Sequence, residues 1–162
     1  MVLYVPNVTM EYVIMVPVLL MQVILVPMAA AWMMDVWVDQ RRETALQDVA
    51  SHLGSTIQQL YLSLNREEAG AGIVTQVSNV PPFIESIPYV VDASDRRVEN
   101  GTIIDLHLAL MGTSITATTH VTLGSNALLG TQRTFMSNST SACIMVEKFS
   151  NGTQMALRFS FG

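Results

Sequence analysis

Cysteine, lysine and charge in general are scarce in this sequence. Cys143 is the one cysteine, which excludes an intrachain disulfide framework and any cysteine-rich zinc site. The basic residues are seven arginines and Lys148, never in a run longer than two, and the formal net charge is −5. That balance excludes the clustered basic face of a nucleic-acid-binding protein. Charged residues make up 13% of the chain, against about 25% in an ordinary soluble domain. Half of the residues are hydrophobic, so the chain is not disordered either. No glycine-rich phosphate loop and no nucleophile elbow is present. With 162 residues, there is room for one ordinary domain plus one long element, but not for two full cores.

The hydrophobicity is concentrated. From Tyr12 to Met34 the sequence carries no charge, with Gln22, Pro17 and Pro27 as its only interruptions and Glu11 and Asp35 as its brackets. As a helix this run extends roughly 35 Å, enough to cross a bilayer core of about 30 Å. Seven of the eleven methionines lie in the first 34 residues, where their flexible side chains adapt to more than one packing environment. A secretory signal peptide is a poor description: the run is too long, no basic segment leads it, and Trp32–Met34 continue the apolar character past Ala29–Ala31. Arg41 and Arg42 lie on the C-terminal side of the run, and the positive-inside rule taken alone places the C-terminal part in the cytoplasm. Four Asn-x-Ser/Thr sequons, at Asn7, Asn100, Asn138 and Asn151, argue instead for an exported C-terminal part, with Asn100, Asn138 and Asn151 as candidate glycosylation sites.

A helical period continues beyond the apolar run. Ala45, Leu46, Val49, Leu53, Ile57, Leu60 and Leu64 recur at spacings of three and four, one apolar stripe on an amphipathic helix. The only glycine within it is Gly54, and no turn cluster separates it from the preceding run. One helix is therefore expected from about residue 8 to 65, kinked or locally opened at Pro17 and Pro27. Arg41 and Arg42 read as part of its solvated face. Asn65–Gly72 ends it with polar residues and then glycines.

After that point the hydrophobic period changes to two. Ile104, Leu106, Leu108 and Leu110 alternate with less apolar residues, as do Met155, Leu157, Phe159 and Phe161. A Thr-rich strand runs from Ile115 to Val121, and further strands are expected at 73–78, 87–93, 133–137 and 142–149. Asn151-Gly152 predicts a tight hairpin between the last two strands. Six or seven short strands in this length predict a small antiparallel β-sandwich. The fold class is thus α+β, with residues 1–68 as helix and 69–162 as β-domain. Cys143 lies in the apolar strand SACIMV and is expected to behave as a small buried hydrophobe.

The histidines form no obvious site. His52 falls on the helix; His107 and His120 fall on strands, and exposed strand histidines are far commoner than metal pairs. Ser114, Asp105 and His107 supply the residue types of a triad without the context of one. The expectation is a protein that is not an enzyme and needs no metal or cofactor.

A hydrophobic helix running unbroken into an amphipathic one and then into a small β-domain resembles the type IV pilins. Gly70-Ala71-Gly72, Pro81-Pro82-Phe83-Ile84 and Ile87-Pro88-Tyr89-Val90-Val91 are similar to the helix-to-β junction of archaeal adhesion pilins, and the Thr-rich strands and sequons fit the same group. The resemblance covers the whole chain in organisation. It implies an extracellular filament that polymerises through the N-terminal helix, with the chain inserted in the cytoplasmic membrane before assembly. Its partners would be copies of itself and a pilus assembly machinery. The filament-core residues would be Val13, Ile14, Val18, Leu19, Leu20, Val23, Ile24, Leu25, Trp32, Leu46, Val49, Leu53, Ile57 and Leu60. Glu11 would take the place of the acidic residue that many pilins pair with a neighbour's α-amino group, although it comes later than in that pattern. The short basic leader of prepilins is not seen before Tyr12, so the sequence reads as a processed chain or one that does not use that leader. An archaellum subunit and a single-pass membrane-anchored binding protein are the alternative readings.

Overall fold

The computed structural model describes residues 8–66, 70–77, 79–140, 142–151 and 154–162, with side chains at all of these except 8–12, 151 and 154. Among the described residues a single helix, α1 (Val8–Leu64), is followed by eight strands: β1 (Gly72–Val77), β2 (Tyr89–Val98), β3 (Gly101–Leu110), β4 (Thr116–Leu123), β5 (Ala127–Leu129), β6 (Thr134–Met136), β7 (Cys143–Asn151) and β8 (Gln154–Phe161). The chain divides into two compact units, Met1–Gln40 and Arg41–Gly162. That division falls inside α1, whereas the sequence suggests residue 68. The reason is that the later turns of α1 belong to the core of the second unit.

That core is made of two four-stranded sheets in contact, ordered β1-β7-β8-β5 and β4-β3-β2-β6. The inward residues follow the period of two: Ile104, Leu106, Leu108 and Leu110 on β3, Ile144 and Val146 on β7, and Leu157, Phe159 and Phe161 on β8 are all buried. Segment 130–133 joins the two sheets on one side, since the Phe161 amide donates to the Gln132 carbonyl and the Ala93 amide to the Arg133 carbonyl. The Phe135 and Phe161 rings, one from each sheet, stack with centroids 6.1 Å apart.

The strands do not close into a sandwich by themselves. Leu46, Val49, Ala50, Leu53, Ile57, Leu60 and Tyr61 of α1 enter the same hydrophobic cluster as the strand residues. Gly54 lets the helix approach β4 closely: a β-carbon there would stand 3.3 Å from Cγ2 of Val121. Gln47 donates to the Thr118 carbonyl of β4, so the helix also occupies part of that sheet's edge. All pairings are antiparallel except one: β5 runs parallel to β8, with Ala127 opposite Leu157. This corrects the expectation of a wholly antiparallel arrangement. β5 is three residues long and reaches β8 by returning from the far sheet, a non-local choice that no turn signal encodes.

Candidate assembly surface

Burial separates the expected filament-core residues into two groups. Val13, Ile14, Val18, Leu19, Leu20, Val23, Ile24, Leu25 and Trp32 are each at least half exposed, and Trp37 is 60% exposed. They lie on every face of the helix, a pattern found in helices covered all round, in a protein core or in a membrane. The helix is long and apolar enough to cross a membrane, and its most apolar window is wholly exposed in the chain, unlike the core helix of a soluble domain. Leu46, Val49, Leu53, Ile57 and Leu60, by contrast, are buried, at 7% exposure or less. Their stripe is covered by the subunit's own strands.

Three polar contacts fix these later turns. Arg42 Nε donates to Glu85 Oε2 at 2.8 Å, and Arg41 stands 3.5 Å from the other oxygen of that carboxylate. Arg42 is therefore engaged with the 84–87 turn, which corrects its reading as a merely solvated face, while Arg41 stays mostly exposed. In the last turn, Tyr61 donates to Asn126, which in turn donates to Asn65. At the end, Lys148 Nζ donates to the carbonyls of Leu64 and Arg66, at 2.7 and 2.8 Å. A cation on the last carbonyls of a helix satisfies their unpaired lone pairs and complements the negative end of the helix dipole. Lys148 is itself buried, on the inward face of β7 in line with Ile144 and Val146.

The turn that holds Glu85 is strained. Ile84 and Ile87 exchange both backbone hydrogen bonds across Glu85 and Ser86, and those two residues have φ of 48° and 70°. This is a two-residue turn with both central residues left-handed, a role usually filled by Asn-Gly. Tyr89, just beyond, is fully buried, and its hydroxyl donates to the Pro81 carbonyl at 2.8 Å. Burial pushes its phenol up to about 12.

The other candidates from the sequence are dispersed over the β-domain and the ends of the helix. Asn100 and Asn138 are exposed, in the β2–β3 connection and in the turn after β6. Asn151 ends β7 and Glu11 lies in the first turns of α1; their side chains lie outside the described residues. His120 faces Asp105 across β3 and β4, with Nδ1 and Oδ1 2.6 Å apart, while His107 stands opposite Asp92 and Thr118. Asp105 thus pairs with His120 and not with His107, and the residue types of a triad are not brought together. Among the described residues no group of three His, Cys, Asp or Glu could hold a metal ion. Cys143 is half-buried, not buried, because its odd position on β7 turns it to the outer face. A mainly apolar recess of about 320 Å³ lies between Ala45, Asp48, Val49 and His52 on the helix and Asn79–Pro81. A larger open depression is lined by Arg133, Glu147 and Arg158, whose charges are matched in the Arg133–Asp95 and Arg158–Glu147 pairs.

Lys148 and the 84–87 turn are the contacts holding the helix that sequence reading missed. The first was visible in the parity of β7, where Ile144, Val146 and Lys148 share a face. The second had no signal, since Glu-Ser is not a residue pair that asks for left-handed backbone. Compared with known proteins, the chain matches no family model, no curated protein and no solved structure.

Proposed function

We propose that this chain is a structural subunit of an extracellular filament of the archaeal type IV pilus kind, serving adhesion and having no enzymatic role. The observation that carries the reading is the split fate of one helix. Residues 13–34 are uncharged, almost wholly apolar and exposed, while the turns from Leu46 to Tyr61 are locked into a β-domain. The subunit therefore carries a large apolar rod that needs an outside cover.

In lipid that cover is the acyl chains, and apolar helices there gain no hydrophobic drive toward each other. Removal from the bilayer needs external work, which is the task of an assembly machinery. Once removed, each large side chain buried among neighbouring helices is worth roughly 1.5–3 kcal/mol relative to water. A head-to-tail contact that does not close a ring propagates as a helical polymer. The β-domains coat such a polymer, and glycans on Asn100 and Asn138 extend from exposed turns. The scarcity of basic residues leaves no place for nucleic acid as a partner.

A membrane-anchored, monomeric binding protein is the second reading, and one observation favours it. The stripe from Leu46 to Leu60 is satisfied within the subunit, so it does not call for partner helices. Electron microscopy of material sheared from cells separates the two. Fibres that contain this chain by mass spectrometry are expected. Recovery of the chain only from detergent-extracted membranes, without fibres, overturns the filament reading.

A further inference from the structure

Every residue of β1, GIVTQV, is exposed on both faces of its sheet. β1 forms an outer edge of its sheet, paired to β7 on one side only. It carries no charge and no proline, the usual devices that keep an edge from pairing with another strand. Two of its apolar side chains are the most exposed of the described β-domain, Ile73 at 69% and Val77 at 73%, while Val74 is 39% exposed. An outer edge of the other sheet, β4, differs, since the helix packs against it and Gln47 holds its Thr118 carbonyl.

We infer that β1 pairs with β1 of a second copy, antiparallel about a two-fold axis through Thr75. The register follows from the strand's own chemistry. Hydrogen-bonding sites alternate along a strand, and β7 already takes one set, so only residues of one parity bond outward. In an antiparallel pair of identical strands, opposed residue numbers then sum to an even number. The registers centred on Val74 and on Thr75 overlap equally. Only the second sets Ile73 against Val77 twice, with Thr75 against Thr75 between them and Val74 against Gln76 on the other face. Apolar pairs and Thr–Thr pairs directly opposite each other are the favourable cross-strand combinations. The strand is thus its own complement, and the pairing extends a four-stranded sheet to eight.

A two-fold contact cannot lie within a polar filament, whose subunits all point one way. Resting on the filament reading, the β1 pair therefore joins two antiparallel filaments side by side and makes bundles.

The test is oxidative cross-linking of the full chain in detergent, with Cys143→Ser as background. Thr75→Cys should give a disulfide-linked dimer well faster than Thr122→Cys, an exposed position on β4 that reports random collision. Val74→Cys alone should stay at that background rate, and mixing it with Gln76→Cys should give the mixed dimer. Thr75→Cys at the Thr122→Cys rate, or Val74→Cys linking to itself in its place, overturns the pairing. In micrographs, Thr75→Lys should leave single fibres where the natural chain gives bundles; bundles that persist overturn the lateral role. If the natural chain forms no fibres, the filament reading fails, while the cross-linking still decides whether β1 pairs.

Discussion

The two stretches of α1 share a backbone and differ in almost everything else. Residues 13–34 are uncharged, almost wholly apolar and exposed; residues 41–64 are apolar on one stripe, and that stripe is buried against β-strands. Both are α-helix, the first lacking only the bonds that Pro17 and Pro27 cannot donate, so secondary structure says nothing about where each stretch resides. The distribution of side chains around the axis decides it. A one-sided stripe finds cover within its own subunit, whereas an all-round apolar surface cannot be covered by one small domain.

The strongest way to break this comparison is to place a charge in each stretch. Leu53→Asp buries an unpaired carboxylate at a site 1% exposed and should cost at least about 4 kcal/mol, unfolding the β-domain. Ile24→Asp should leave the thermal transition of the β-domain unchanged in detergent and instead impair membrane insertion, where a central Asp costs about 2.5–3.5 kcal/mol. Circular dichroism melts together with membrane fractionation check both. Equal melting temperatures for the two variants would dissolve the distinction.

A smaller effect sharpens the boundary at the far end. Lys148→Met removes the cation from the Leu64 and Arg66 carbonyls and should lower stability by about 3 kcal/mol, the worth of charge-assisted hydrogen bonds of this kind. Hydrogen exchange should rise over residues 58–64 and stay unchanged over 20–35. A uniform rise along the helix would mean that the two stretches unfold as one.

The smallest effect is a pH dependence confined to the β-domain. The Tyr89 phenol is raised to about 12 when folded, from about 10 when unfolded. Its contribution is complete below pH 10, falls as the pH rises through the folded value, and is gone above it, because the unfolded chain ionises first. That difference corresponds to about 2–3 kcal/mol lost between pH 10 and 12. Denaturant melts across that range should show the loss in the natural chain and not in Tyr89→Phe, while helicity of residues 13–37 should not change with it. A Tyr89→Phe profile matching the natural one would assign the alkaline loss elsewhere.

Local periodicity made most of this fold legible. The helix is expected at about 8–65 and runs Val8–Leu64. The alternation of Ile104, Leu106, Leu108 and Leu110 marks a strand that is buried at each of those positions. The hairpin of the last two strands is also found, with Asn151 opposite Gln154. Illegible were the features that depend on partners distant in sequence. β2 extends to Val98 through the polar run Asp92–Arg97 because β3 pairs with it along its whole length. β5 and β6 are too short to show a period. For the surface, the all-round apolar run was plain, but nothing in the stripe from Leu46 to Leu60 told partner helices from the subunit's own strands as its cover.

The burial of Lys148 has a practical corollary. It is the only lysine in the sequence, and its amine is closed in beneath the end of the helix. The folded chain therefore offers succinimidyl labels no lysine side chain to acylate. A protease that cuts after lysine meets its site only when the helix end lifts away from β7. Since β1 and β8 flank β7 at that point, the rate of that single cut becomes a clock for the opening of the strand together with the helix end.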